Sequence, residues 1–101
     1  MTTSDWNSLK AERLAAMTDA EREEYERTYA KAKLASEVGE RVRAAREAAG
    51  LTQRDLARRV GTSQAVITRL EAGGVGATLT TLQRVATALE LEVNVELRPS
   101  I

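Results

Sequence analysis

Three residue types that commonly carry protein chemistry are missing from this chain of 101 residues, which contains no cysteine, no histidine and no phenylalanine. Without cysteine there is no disulfide framework and no thiolate metal site. Without histidine the chain lacks the commonest general base and the commonest metal ligand. We therefore expect a protein that is not an enzyme and that needs no cofactor or metal.

Long hydrophobic runs are also missing. No apolar stretch approaches the roughly 20 residues that a membrane-spanning helix requires. The N-terminus lacks the charged and then apolar layout of a signal peptide. The sequence is therefore interpreted as that of a soluble, cytoplasmic protein that makes no contact with a membrane.

Aromatic residues are scarce, since Trp6, Tyr25 and Tyr29 are the only three and all lie in the first third of the chain. The core elsewhere must consist of Leu, Val, Ile and Ala. The abundance of Ala, Leu, Glu, Arg and Lys favours helices. The length fits one domain with appendages, so we predict a mainly helical domain of this kind.

Two helical segments are predicted before residue 50. The first is capped by Ser4 or Asp5 and runs through residue 16. The second begins at Thr18, which has the capping-box spacing with Glu21, so that each side chain bonds the backbone N–H of the other residue. Gly50 ends this helical region as a left-handed cap.

The apolar residues of the second segment form two stripes that lie nearly opposite each other on a helical wheel. Either the helix breaks near residues 33–37, or one long helix carries two apolar faces, one for the core and one for a partner. The first stripe contains Tyr25, Tyr29 and Ala32, and the second contains Leu34, Val38, Val42, Ala45 and Ala49.

Three shorter helices and a strand are predicted after residue 50. Thr52 caps a helix over residues 53–60, and Gly61 supplies a turn to a helix that is capped by Thr62 or Ser63 and ends near residue 72. Thr80 caps the last helix. Residues 92–98 then alternate polar and apolar side chains, as a half-buried strand does.

A lone strand needs a pairing partner. We expect it to pair with the same strand of a second copy, which gives a symmetric dimer held by Val93, Val95 and Leu97. The alternatives are a frayed tail and a strand that pairs only with a different protein.

The stretch from residue 51 to residue 73 resembles the helix-turn-helix of the XRE family, the phage repressor and Cro-like proteins. Nine residues match that family's pattern in register: Gln53, Leu56, Ala57, Gly61, Ser63, Ile67, Thr68, Glu71 and Gly73. The resemblance implies an all-α, lambda-repressor-like domain over roughly residues 38–90, whose second short helix enters the major groove of DNA. A dimer of such domains reads a palindromic operator in double-stranded DNA.

The resemblance also implies roles for single residues. At helix N-termini, Gln53 and Ser63 suit phosphates, while Gln64 can pair with adenine and Ala65 can touch a thymine methyl group. For Ser63 a purely capping role is the alternative, and for Arg69 a solvated surface position. The expected DNA contacts are Gln53, Thr62, Ser63, Gln64, Ala65, Thr68 and Arg69, and the expected structural salt bridge joins Arg46 to Glu71.

Charge is distributed unevenly along the chain. Residues 41–73 hold seven arginines against three acids, a balance of plus four, whereas residues 1–37 hold eight acids against six bases, a balance of minus two. A neutral total therefore hides a basic DNA-binding segment beside an acidic arm. We divide the chain into a helical arm, 1–37, the DNA-binding domain, 38–90, and a dimerising tail, 91–101.

An acidic arm, this helix-turn-helix and a C-terminal strand together resemble antitoxins of the HigA type. Such an antitoxin neutralises a RelE/HigB-like ribonuclease toxin and, as a homodimer, represses its own operon. The alternatives are a stand-alone repressor without a toxin partner, and an interaction module that has lost DNA binding. The resemblance implies toxin contacts from Trp6, Leu9, Met17, Tyr25 and Tyr29.

Overall fold

The computed structural model describes residues 3–74 and 78–100, with side chains from residue 7 onward. The chain divides into two compact units, residues 1–31 and residues 32–101. The predicted helical fold is confirmed for the described residues, and none of their helices is long and apolar enough to cross a membrane. The helices are α1 (Thr3–Ala16), α2 (Asp19–Ala48), α3 (Gln53–Val60), α4 (Gln64–Glu71) and α5 (Leu79–Ala88).

The first unit consists of α1 and the start of α2, joined by a short turn at residues 17 and 18. The hydroxyl of Thr18 accepts a hydrogen bond from the N–H of Glu21 at 3.1 Å, as the capping spacing predicts. The Arg22 guanidinium donates to the carbonyl of Leu14 at 3.0 Å and so links the two helices. Helix α1 already includes residues 4 and 5, so neither is its cap and the predicted start of the helix is wrong. The difference is one or two residues, which is common at helix ends.

Helix α2 continues from Asp19 to Ala48 without interruption, so of the two alternatives the structure has one long helix and no break near residues 33–37. That region contains good helix formers and no glycine or proline before Gly39, so local propensity favours continuation. At its C-terminal end, Gly50 has a φ of 72° and the N–H of Leu51 returns to the carbonyl of Arg46 at 3.1 Å. This is the left-handed glycine cap expected of a helix terminus.

The core of the second unit forms where the C-terminal half of α2 meets α3, α4 and α5. Leu56, Ile67 and Val85 are almost completely enclosed, and burial of each such side chain contributes about 1.5–3 kcal/mol. The core is aliphatic throughout, as the composition requires. Its other members are Val42, Ala57, Val60 and Leu70, with Val38, Leu82, Ala88 and Leu89 packed against them.

The predicted cap of the last helix is wrong by two residues. Helix α5 begins at Leu79, and its cap is Thr78, whose hydroxyl accepts from the N–H of Thr81 at 3.1 Å. Threonine is a preferred capping residue, so residue type alone does not distinguish positions 78, 80 and 81. The backbone conformation selects Thr78, which is extended with a ψ of 163°.

The predicted strand over residues 92–98 is not seen in the single chain, since residues 91–100 form neither helix nor strand. A strand is defined by ladder hydrogen bonds to a neighbour, and the described part of this chain contains no strand that supplies one. The apolar side chains of the tail are consequently exposed, with Val95 at 66% and Leu97 at 92%.

Candidate nucleic-acid interface

Helices α3 and α4 are joined by a tight turn, and each begins at a well-formed cap. Thr52 and Asp55 form a closed capping box, in which the hydroxyl accepts from the Asp55 N–H at 3.0 Å and the carboxylate accepts from the Thr52 N–H at 3.1 Å. The turn uses Gly61 with a φ of 80°, a left-handed conformation that favours glycine. Ser63 caps α4 through a hydrogen bond from the N–H of Val66 at 3.4 Å.

The capping box has an electrostatic consequence at Asp55. The hydrogen bond from the backbone of Thr52, followed by the one from its side chain, lowers the pKa of Asp55 below its ordinary value of 3.8. Thr52 is the predicted cap, whereas the part played by Asp55 was not predicted, because the reciprocal position of a capping box usually carries Glu or Gln. The N-terminus of α3 is therefore fixed by two side chains.

One face of α4 is buried and the opposite face is exposed. Ile67 and Leu70 point into the core with 0% and 5% exposure. The four residues of the other face lie within about 140° of one another on a helical wheel. They are all exposed, and we call them the α4 outer face: Gln64, Ala65, Thr68 and Arg69.

Behind α4, a buried ion pair joins it to α2. The Arg46 guanidinium donates from Nε to Glu71 Oε2 at 2.7 Å and from Nη2 to Oε1 at 3.0 Å, a bidentate arrangement. The two side chains are only 11% and 3% exposed. The hydrogen bond from Arg46 to Glu71 raises the pKa of the guanidinium. Arg46 also donates to the carbonyl of Leu51 at 2.8 Å, so it holds the start of α3 as well.

Gln53, the first residue of α3, connects this ion pair to the α4 outer face by two hydrogen bonds. Its Nε2 donates to Glu71 Oε1 at 3.3 Å, and its Oε1 accepts a hydrogen bond from the Thr68 hydroxyl at 2.8 Å. These contacts join residues 18 and 15 positions apart. Gln53 and Thr68 were both predicted to contact DNA, but no local spacing in the sequence indicates that they contact each other.

Exposed arginines lie on both of these helices. Arg54, Arg58 and Arg59 on α3 and Arg69 on α4 are all exposed, so their charge is available to phosphate groups. Arg84 on α5 is used differently, because its Nη2 donates to the carbonyl of Val60 at 2.9 Å and so caps the C-terminal end of α3. This arginine therefore links α5 to α3.

Residues 42–95, just over half of the chain, match the family model HTH_3, which is described as helix-turn-helix and is of the XRE type. The chain belongs to this helix-turn-helix family. No curated protein matches the sequence. In this helix-turn-helix protein, α3 and α4 are the paired helices, and the domain is that of a sequence-specific, DNA-binding transcription regulator.

The other residues that the sequence predicted to contact DNA lie at the N-termini of the paired helices of this helix-turn-helix protein. Gln53 and Thr62 are half-buried, whereas Ser63 is exposed. Ser63 acts as the α4 cap, the alternative role considered for it, and its exposure leaves the hydroxyl accessible as well. Helix N-termini present free N–H groups that suit phosphate oxygens.

The residues expected to meet a protein partner belong to the first unit. Leu9 and Tyr29 are 50% and 61% exposed, while Met17 and Tyr25 are half-buried. The rings of Tyr25 and Tyr29 stack with centroids 6.5 Å apart and an interplanar angle of 19°. The side chain of Trp6 lies outside the described residues.

Proposed function

We propose that this protein is an antitoxin that represses its own operon as a dimer and neutralises a RelE/HigB-like ribonuclease toxin. The observation that carries its DNA-binding half is the α4 outer face, exposed on one side and anchored from behind by a buried ion pair. A rigid helix with a free polar face is what base recognition in the major groove requires.

Within this proposal the α4 outer face contacts bases and the helix N-termini contact phosphates. Gln64 pairs bidentately with adenine, and Ala65 packs against a thymine methyl group. Arg69 reaches a guanine or a phosphate. Gln53, Thr62 and Ser63 lie where the N–H groups of α3 and α4 begin, next to the phosphate backbone.

The dimer in this proposal is formed by the C-terminal tails. Val93, Val95 and Leu97 alternate with polar residues, and in the single chain they are exposed at 38%, 66% and 92%. Antiparallel pairing of two tails satisfies both backbones and brings the apolar side chains together. Two domains related in this way read two half-sites about one helical turn apart.

The toxin-binding part of the proposal depends on the first unit. This unit offers exposed apolar side chains at Leu9 and Tyr29. The start of helix α2, in the same unit, also carries the exposed residues Glu23, Glu24 and Glu26, of which Glu24 pairs with Arg27. Apolar anchors together with acidic side chains complement the basic surface of a protein that binds RNA. The resemblance to antitoxins in layout points to a ribonuclease as that partner.

Toxin binding is tested by capture from the native host with three versions of the whole chain. We expect the unaltered chain to retain a small basic ribonuclease and to inhibit it, and the double variant Leu9→Ser, Tyr29→Ser to lose both properties. The control variant Leu79→Ser alters an apolar residue that is also exposed, at 75%, but lies outside the first unit, and it should retain the ribonuclease. Equal capture by all three versions, or a captured protein without ribonuclease activity, contradicts the proposal.

The second candidate function is a stand-alone XRE-family repressor with no toxin partner. The observation that favours it is the extent of the family match, which covers residues 42–95 and leaves the arm without an assigned role. A gel-shift assay with the DNA upstream of the gene separates the candidates when combined with the capture experiment. Specific binding of upstream DNA without any ribonuclease partner supports the plain repressor.

A further inference from the structure

We infer that Thr68 is a specificity-determining residue that accepts, and does not donate, a hydrogen bond at the DNA. It therefore selects a base whose exocyclic amino group lies in the major groove, adenine or cytosine. Gln53 is the positioning residue that enforces this polarity. The inference rests on the proposed function, since it requires that the α4 outer face lies in the major groove.

Hydrogen bonds connect Arg46, Glu71, Gln53 and Thr68 in that order, and the buried Arg46–Glu71 pair determines which group donates in each of them. Arg46 can only donate, and the ionised carboxylate of Glu71 can only accept. Gln53 must therefore turn its amide nitrogen toward Glu71, at 3.3 Å. The opposite orientation of the amide would place two acceptor oxygens face to face. The carbonyl oxygen of Gln53 is consequently left to face Thr68.

The orientation of the Gln53 amide determines whether the Thr68 hydroxyl donates or accepts. That hydroxyl has one hydrogen and two lone pairs, and the hydrogen is donated to Gln53 Oε1 at 2.8 Å. Only acceptor capacity remains for any other group. Thr68 is exposed, and on a helical wheel it falls about 40° from Gln64, between Gln64 and Ala65. It thus occupies the middle of the α4 outer face.

The major groove distinguishes bases by this same property. Adenine N6 and cytosine N4 are donors, whereas guanine O6 and thymine O4 are acceptors. An acceptor-only hydroxyl gains a hydrogen bond at adenine or cytosine, and it faces another acceptor at guanine or thymine. A threonine hydroxyl that is not held by Gln53 is free to rotate and to donate, so it discriminates less between the two classes.

The test is selection of binding sites from random double-stranded DNA, followed by affinity measurements on single-base variants of the selected site. We expect the unaltered chain and Thr68→Ser to require adenine or cytosine at one position, by about tenfold over guanine or thymine for one hydrogen bond. Thr68→Val keeps the shape of the side chain and loses this preference. Gln53→Leu leaves the Arg46–Glu71 pair intact and weakens the preference at the same position, while the other positions keep theirs.

A duplex that lacks only the exocyclic amino group identifies the atom that is read. Purine replaces the selected adenine, or pyrimidin-2-one replaces the selected cytosine. This change should weaken binding of the unaltered chain about tenfold and leave Thr68→Val unaffected. If Thr68→Val or Gln53→Leu retains every base preference of the unaltered chain, the inference is overturned and the proposed function is not affected. Failure of the unaltered chain to enrich any sequence overturns the proposed function and this inference together.

Discussion

Gly39→Ala is predicted to destabilise the DNA-binding domain, although alanine is the better helix former. Gly39 lies in the interior of α2 and is buried. On propensity alone, alanine at an interior helical position stabilises by about 1 kcal/mol relative to glycine. The packing of α2 against α4 reverses the sign, because a Cβ atom at Gly39 would lie 2.5 Å from the carbonyl oxygen of Leu70 and 2.8 Å from that of Glu71.

The magnitude follows from what those two atoms are. Both belong to the backbone of α4, so neither can rotate away, and the helix itself must move. Overpacking that shifts a backbone costs about 1–3 kcal/mol, and two contacts this short place Gly39→Ala at the upper end. After subtraction of the gain in propensity, the net loss is about 2 kcal/mol, or about 8–16 °C in Tm for a protein of this size.

Urea and thermal unfolding of the whole chain, followed by far-UV circular dichroism, measure this loss. The matched control is Glu40→Ala, an exposed neighbour on the same helix, which should change stability by less than about 0.5 kcal/mol. Since α4 must move, Gly39→Ala should also weaken DNA binding. A Gly39→Ala protein as stable as the unaltered chain would refute the close approach of α2 and α4.

Two further outcomes follow from the described contacts, and a third follows from the proposed dimer. Glu71→Ala leaves the buried Arg46 without its carboxylate and should cost about 3–5 kcal/mol in urea unfolding; a loss below about 1 kcal/mol would mean that the pair is solvated. The lowered pKa of Asp55 means that its carboxylate stabilises the folded state above about pH 4 and that this contribution is lost as the pH falls below 3.8. In the Asp55→Asn variant the free energy of unfolding should therefore fall less steeply as the pH is lowered below 3.8. The same dependence of the free energy of unfolding on pH in both proteins would contradict the capping box. Removal of residues 92–101 should weaken dimerisation, so a trimmed chain that remains dimeric by light scattering at micromolar concentration would refute tail pairing.

The features that sequence predicts well are those set by near neighbours along the chain. The bounds of α3 follow from Thr52, Gly61 and an apolar pattern that lies within eight residues. The continuity of α2 is also a local property, yet two opposed apolar stripes left it open, because a stripe shows which residues face a core and not where a helix ends. The position of the α5 cap was likewise ambiguous among three threonines.

The features that sequence does not predict are those that depend on contacts between distant segments. The contact of Gln53 with Thr68 and Glu71 joins α3 to α4 across 15 and 18 positions. The close approach of Gly39 to the backbone of α4 is equally invisible in a list of residues. Residues 92–98 alternate polar and apolar side chains as a strand does, but a strand also requires ladder hydrogen bonds from a neighbour, and an alternating pattern does not supply them.

The most direct test of the central claim is the affinity of the unaltered chain and of Gln64→Ala for the selected DNA site and for random DNA at one fixed salt concentration. The unaltered chain should prefer its site, and Gln64→Ala should lose about 1–3 kcal/mol of that preference while unfolding normally and binding random DNA as before. Equal affinity of the unaltered chain for the selected site and for random DNA would contradict base recognition by the α4 outer face.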